Sequence, residues 1–455
     1  MDIPSLFMIP SAVSSGKVHS VFPNSTDADF DFNRDSDATR VNSEGLIERV
    51  GYYSADKITN GDFSTDSDWV KDTGWSISGG KLNFNGTSAN NARQAVSGYN
   101  TTSDYEVTFD LTIESGGAYI MLGYNALTTR TTSGTYTQQG KFTDSGAFNG
   151  FLRIFSTGTS VFSVDNVSVK EVTGDRARLN YEIEGGLVNT KPSLLLEPQS
   201  TNLIKYSNDY TQSEWNKISG ATVDANVAIS PDGTLNASRL NFNTVVGSRM
   251  EDQIASASSG DYSFAVYLKA DEPKTVGIRT GFAGTATVNV NVTTEWQRFS
   301  ITQNNPTNPA NGYAQIRSID ASGGSVYVWG AQIEQQSYST SFIPTNGSTQ
   351  TRAAETCNGA GTSSILPSEE GILYAEIAAL ANDGSVRYLG LSDGGSSNRV
   401  VILNDSTNNN IRGIVSSGGT KYVDFAYVVS DVTTFNKVAL KWKANDFDLW
   451  INGVK

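Results

Sequence analysis

Three kinds of side chain in this sequence could carry chemistry: one imidazole, one thiol and a large set of carboxylates. His19 is the sole histidine and Cys357 the sole cysteine among 455 residues. A Ser-His-Asp or Cys-His constellation needs an imidazole set between a nucleophile and an orienting acid. His19 lies between Val18 and Ser20, well before the repeated segments that would have to supply the rest. The lone thiol forms no internal disulfide, and one cysteine with one histidine leaves a four-ligand zinc site incomplete. Two carboxylates suffice for glycoside hydrolysis, and 47 Asp and Glu keep that chemistry open by counting alone. Residue counting by itself therefore does not exclude a glycosidase.

The elements that would position such groups follow from composition. Gly numbers 43 and Pro 11, and Ser, Thr and Asn fill the gaps between short apolar runs, which favours strands and turns over helices. At this length a single core gives way to two to four domains. The 33 Lys and Arg against 47 Asp and Glu give a net charge of -14, dispersed without long runs, which argues against a nucleic-acid partner. Leu6 to Ile9, between Pro4 and Pro10, is too short for a signal-peptide core and lacks a basic flank. No other stretch approaches the roughly 20 apolar residues of a membrane span.

An approximate internal repeat organises the chain. One copy opens ITNGDFSTDSDW (Ile58 to Trp69) and the other LIKYSNDYTQSEW (Leu203 to Trp215). Each continues into a strand (Lys81 to Phe84; Arg239 to Phe242), then an alternating strand opened by Asp104-Tyr105 or Asp261-Tyr262. Both close on long alternating strands, Val161 to Lys170 and Val326 to Glu334. Period-two alternation marks strands with one buried face, so each copy predicts a jelly-roll β-sandwich.

The pattern predicts an all-β chain. An extended N-terminal arm spans 1–57, a first sandwich 58–172, a connecting segment 173–200, a second sandwich 201–350 and a third module 351–455. The connecting segment (Arg176 to Ile204) and the arm (Phe30 to Gly51) read as partners, with the first sandwich inserted between them and turns at Ser43-Glu44-Gly45 and Glu184-Gly185-Gly186. The arm's Phe7, Met8, Ile9, Phe30 and Phe32 belong to no repeat and are expected to bury against other chains. Asn452-Gly453 is a strong hairpin signal near the C-terminus, which suggests that the third module is incomplete as written.

SLFMIPSAVSSGKVHSVFP, RDSDATRVNSEGLIERVG, PSLLLEPQSTNLIKYSNDYTQSEWNK and VWGAQIEQQSYSTSFIPTNGSTQTRAAE together resemble the fibre-type virion proteins of tailed bacteriophages. The repeated sandwiches resemble the jelly-roll carbohydrate-binding modules attached to bacterial glycanases, whose openings read like NGDFSTDSDW. The third module resembles concanavalin A-like and laminin-G sandwiches. The resemblance implies a non-enzymatic virion protein, made in host cytoplasm and exposed on the extracellular particle. Its arm would anchor to other virion proteins, its assembly would be a homo-trimer, and its sandwiches would touch host or environmental glycans. The alternative is a purely structural head-fibre, decoration or tail component without a working sugar site.

Sugar recognition requires aromatic faces beside polar groups. Trp69 and Trp215 occupy the same place in both copies and read as core. Trp75, Tyr99 and Tyr124 are aromatics of the first copy near loops and are the carbohydrate-binding candidates, with partly exposed packing as the alternative. No cofactor is required. The resemblance implies a structural calcium between the opening segment and the closing strand, where Asp62 and Asp165 match. Calcium takes six to eight oxygens, so carbonyls and water would supply most of them, and turn-capping aspartates are the equal alternative. In the second copy Gly330-Ala331 stands where Asp165-Asn166 would fall.

Overall fold

A computed structural model describes residues 4–8, 13–23, 25–174, 176–184, 186–366 and 369–455. Ile9 and Gly185, named above, lie outside them. The secondary structure is all-β, with one three-residue 3-10 turn at Thr26–Ala28 among the described residues, and no helix is long and apolar enough to cross a membrane. Two compact units result: one of Val13–Val18 with Asp31–Cys357, the other of Asn358–Lys455 with His19–Phe30 and described residues of 1–12.

In the larger unit the first sandwich pairs a five-stranded sheet with a second sheet. The first sheet runs in the order Asn125–Ala126, Ala118–Leu122, Phe151–Ser156, Asn91–Ala95, Val70–Lys71. The other runs Gly134–Gly140, Tyr105–Ser115, Ser160–Gly174, Lys81–Gly86, Trp75–Ser78. The second sandwich repeats the plan. Trp215–Ile218, Arg249–Ala257, Ala310–Arg317, Lys274–Arg279 and Val288–Val292 face Thr222–Ile229, Leu235–Phe242, Gly324–Glu334, Gly260–Lys269 and Gln297–Asn305. Alternation explains each core: Val107, Phe109 and Leu111 point inward in one copy, Phe264, Val266 and Leu268 in the other.

The equivalence of the copies extends to single hydrogen bonds. The indole of Trp69 donates to the Asn60 carbonyl at 3.1 Å and that of Trp215 to the Tyr206 carbonyl at 2.8 Å. Both rings are buried, against Phe63 and Tyr210 respectively. Val167 N donates to Gly61 O, and Ala331 N to Ser207 O. These bonds match Asn166 to Gly330 and Asp165 to Trp329, which shifts by one residue the correspondence expected from sequence. A β-bulge produces the shift: Thr108 and Asp110 oppose Ser168 and Asp165, and Ala265 and Tyr267 oppose Gln332 and Trp329. The bulged residue has positive φ in both, 51° at Asn166 and 65° at Gly330.

From Asp31 onward the arm departs from expectation. Phe32, Ala38, Ile47 and Val50 are buried within this one chain. Ile47 packs with Ala237, Trp329 and Phe342 of the second sandwich, and its amide donates to Pro231 O at 2.9 Å. Thr39–Val41 and Ile47–Arg49 form a hairpin whose Val41 amide meets Asn180 Oδ1 and whose Val41 carbonyl accepts from Tyr181 N. Of the five apolar residues expected to bury against other chains, Phe32 is thus buried within this one, while Phe30 is partly buried. Phe7, in the smaller unit, remains 44% exposed beside its bridge to Phe22.

A buried charge cluster holds these segments. Arg178 bonds Glu197 (2.8 Å) and Glu355, Arg34 bonds Glu355 (3.1 Å), and Arg352 bonds Glu197 (2.9 Å); all five side chains are nearly solvent-free. Glu334 accepts from Ser200 Oγ and the Thr340 amide beside them. Arg352 and Glu355 therefore belong to the second sandwich's unit, which moves the boundary expected at 350/351 to 357/358.

The smaller unit packs a three-stranded sheet (Glu370–Ile377, Asn436–Lys443, Asp446–Ile451) and a four-stranded one (Arg387–Ser392, Arg399–Asn404, Asn410–Ser417, Thr420–Val428) around Ile402, Val438, Leu440 and Trp442. Asn452 and Gly453, both at positive φ, form the turn that brings Val454 back to Ile451.

Candidate functional site

The strands of the first sandwich's five-stranded sheet point Ala92, Ile120, Leu122, Leu152 and Ile154 into the core. Their alternate residues, Arg93, Tyr119, Met121, Arg153 and Phe155, occupy the opposite face. Register places Asn91, Phe155 and Tyr119 in one row and Arg93, Arg153 and Met121 in the next. Tyr119 and Phe155 stack with centroids 5.1 Å apart and planes 11° from parallel.

Arg153 is the centre of this face. Its Cζ lies 4.7 Å from the Phe148 ring, 5.0 Å from Phe155 and 5.1 Å from Tyr124. Its Nε and Nη2 donate to the Gly123 carbonyl at 3.1 and 2.6 Å. Burial pushes this guanidinium below its ordinary pKa, and neighbouring Arg93 adds to the effect. Arg93 lies over Phe148 as well, but pairs with Asp72 at 2.8 Å. Aromatic rings of intermediate exposure beside fixed donors can stack on a pyranose and bind its hydroxyls.

Of the three expected sugar-binding aromatics, Tyr124 belongs to this face, and its hydroxyl accepts from Phe148 N at 3.4 Å. Tyr99 packs on Phe142, with its hydroxyl donating to Asp144 at 3.1 Å, and among the described residues makes no ring contact with the cluster around Arg153. Trp75 is a correction. It points inward from the Trp75–Ser78 strand, buried against Phe84 (4.9 Å) and Phe162 (5.4 Å), and its indole donates to Asn90 Oδ1 at 2.8 Å. Its nearness to a loop in sequence concealed an inward position at the start of a strand. Tyr119, Phe148, Phe155, Arg93 and Arg153 were missed; the alternation within AYIML and FLRIFS was the available signal for Tyr119, Arg153 and Phe155, that within NARQA for Arg93, and Phe148, in no strand, had none.

Each of the two calcium candidates has local hydrogen bonding of its own. Asp62 is exposed and accepts from Ser64 N and Oγ, while Asp165 Oδ1 accepts from Asn166 N at 2.8 Å. Among the described residues no three His, Cys, Asp or Glu side chains gather as a metal group. The side chain of Asn166, the bulged residue, donates to Asp110 Oδ2 at 2.7 Å.

In the second sandwich the equivalent face carries Arg249, Glu251, Gln253, Arg279, Tyr313, Gln315 and Arg317 in place of the aromatic cluster. A cleft of about 880 Å³ between the two sandwiches, within the same unit, is lined by paired charges including Arg49–Asp37 and Arg130–Asp209. The chemistry of that lining is already spent on the interface. His19 Nδ1 lies 2.9 Å from Asp29, but the neighbouring Ser20 hydroxyl donates to Pro23 O, so the trio does not form a nucleophile-base relay.

No family model matches this sequence, nor does any curated protein. Among solved structures, the tandem CBM22-1-CBM22-2 domain of Paenibacillus barcinonensis Xyn10C is similar at 10% identity over 63% of this chain and 98% of that one, with a TM-score of 0.23. A structure titled "CBM4 structure and function" is similar at 21% identity over 28% of this chain and 92% of that one, TM-score 0.21. The enzymatically active domain of bacteriophage CBA120 tailspike protein 4 is similar at 12% identity over 31% of this chain and 21% of that one, TM-score 0.22. Likenesses this slight leave the fold resting on the sheets themselves.

Proposed function

We propose that this chain is a non-enzymatic, fibre-type virion protein whose first sandwich binds glycan on its five-stranded sheet. The observation that carries this reading is the face built from Tyr119, Tyr124, Phe148 and Phe155 around Arg153, where alternation spends large aromatics away from the core. The family resemblance of the sequence supplies the virion location, the anchoring to other virion proteins and the homo-trimer. The second sandwich lacks the aromatic cluster, so the stacking part of this reading rests on the first copy, and a purely structural virion component is the second reading.

The test is a glycan array with the full chain and its Tyr119→Ala and Tyr124→Ala variants. Each truncation removes a stacking ring worth about 1 kcal/mol, so binding falls severalfold while the melting temperature holds. Wild-type binding by both variants, or shortening of a polysaccharide by the purified protein, sinks the proposal. Immunogold labelling of intact particles tests the location.

A further inference from the structure

The five-stranded sheets of both sandwiches carry guanidinium charge that the chain does not neutralise. On the first, Arg93 is matched by Asp72 and Lys71 by Asp66, while Arg153 has no carboxylate partner among the described residues. On the second, Arg249 and Arg317 stand directly opposite each other, and Arg279 lies one row away beside Gln315. Three guanidiniums there face one carboxylate, Glu251, already bonded by Arg249 at 2.6 Å and Gln315 at 2.8 Å. Arg279 Nε is buried without a hydrogen-bond partner. Mutual repulsion with Arg249 and Arg279 adds to burial in depressing the pKa of Arg317.

Cations left this way in a chain of net charge -14 call for an external partner, because a guanidinium that is buried, like Arg153, or partly buried, like Arg317, is costly without a counter-ion. From this we propose that the ligand of these faces is an acidic glycan, one bearing carboxylate or sulfate groups, read by Arg153 in the first copy and by Arg317 and Arg279 in the second. The proposal rests on the glycan-binding reading above and specifies its ligand class. The planar fork of arginine suits both anions, and the aromatic rings around Arg153 bind the sugar ring that carries the charge. The overall negative charge does not forbid this. At physiological salt, screening confines electrostatics to about 8 Å, so each face acts through its own arginines.

The experiment uses the full chain and four polymers: polygalacturonate, its carboxyl-reduced neutral counterpart, dextran sulfate and duplex DNA. Affinity is measured by calorimetry at two salt concentrations. The expected result is binding to polygalacturonate, dextran sulfate or both, about tenfold or more tighter than to the neutral polymer and weakening with salt. Which polyanion binds better identifies the anion. Arg153→Gln and Arg317→Gln each reduce the affinity, with Arg153→Lys retaining part of it. Arg317 is only partly buried, so its variant stays informative should Arg153→Gln unfold. Equal affinity for neutral and acidic polymers, or no response to either glutamine variant, overturns the acidic-ligand proposal and leaves glycan binding standing. Binding to none of the polysaccharides overturns both, and preference for DNA replaces the ligand class.

Discussion

At the scale of single residues, burial decides what each aromatic or acid does. Trp69 and Trp75 are both core residues with satisfied indole N–H groups, so Trp69→Ala and Trp75→Ala are each expected to destabilise the first sandwich by about 3–5 kcal/mol. A melt that leaves Trp75→Ala folded would return that ring to the list of ligand contacts. Asp252, behind the second sheet and opposite Trp215, is different. Burial, with Glu214 nearby, pushes its carboxyl up to about 7. A raised acid pKa means the folded state holds a proton that the unfolded state has released, so stability falls as pH rises from about 4 to 7. Asp252→Asn is therefore expected to stabilise the chain at pH 8, on the order of 2 kcal/mol, and to be nearly neutral at pH 4; denaturant titrations at the two values decide it.

At the scale of elements, the shared bulge shows how one fold accepts two sequences. Asn166 and Gly330 both hold the left-handed conformation, which asparagine tolerates and glycine takes freely. Asn166→Gly should cost under about 1 kcal/mol, whereas Gly330→Val should cost 2 kcal/mol or more, roughly, since strain adds to crowding. A Cβ at Gly330 would already lie 3.0 Å from the Tyr267 ring. Thermal melts of both variants test the equivalence, and similar losses would refute it. The same strands explain the site: AYIML and FLRIFS each send one set of residues to the core and the other to the aromatic face.

Across the larger unit, the phrases that give the sequence its family likeness are largely consumed by the buried charge cluster. Arg34 comes from RDSDATR, Arg178 from the connecting segment, Glu197 from LLLEPQSTNL, Glu334 from GAQIEQQ, and Arg352 and Glu355 from TRAAE. Their role is to fasten segments more than 300 residues apart. Removing one partner strands a buried charge, so Arg178→Met is expected to cost about 3–5 kcal/mol, whereas Lys443→Met, which breaks the exposed pair with Glu370, should cost under about 1 kcal/mol by denaturant titration. Equal effects would show that the cluster is solvated. Burial works against the Glu197 carboxylate, but Arg178, Arg352 and Ser341 outweigh it and hold its pKa below the ordinary value. Its contribution is complete above the unfolded pKa and is lost as pH falls through the folded one, the reverse of Asp252.

By itself the sequence determined the all-β class, the two-copy repeat and the core place of Trp69 and Trp215, because alternation and self-similarity are local and survive without knowing what packs on what. The tertiary structure decided the rest. Period two says that Tyr119, Arg153 and Phe155 each share a face with their second neighbours, but which face is covered depends on the opposing sheet. It likewise turned Trp75 inward, because the first residue of a strand takes its direction from register. Phe32 looked unpartnered and is buried within this chain, and Ile47, outside every repeat, packs on Trp329 and Phe342, nearly 300 residues away, where no local pattern points. The arginines of the two sheet faces are a surplus by contrast with the charge cluster, where each buried guanidinium has a carboxylate partner, and that contrast exists only in three dimensions.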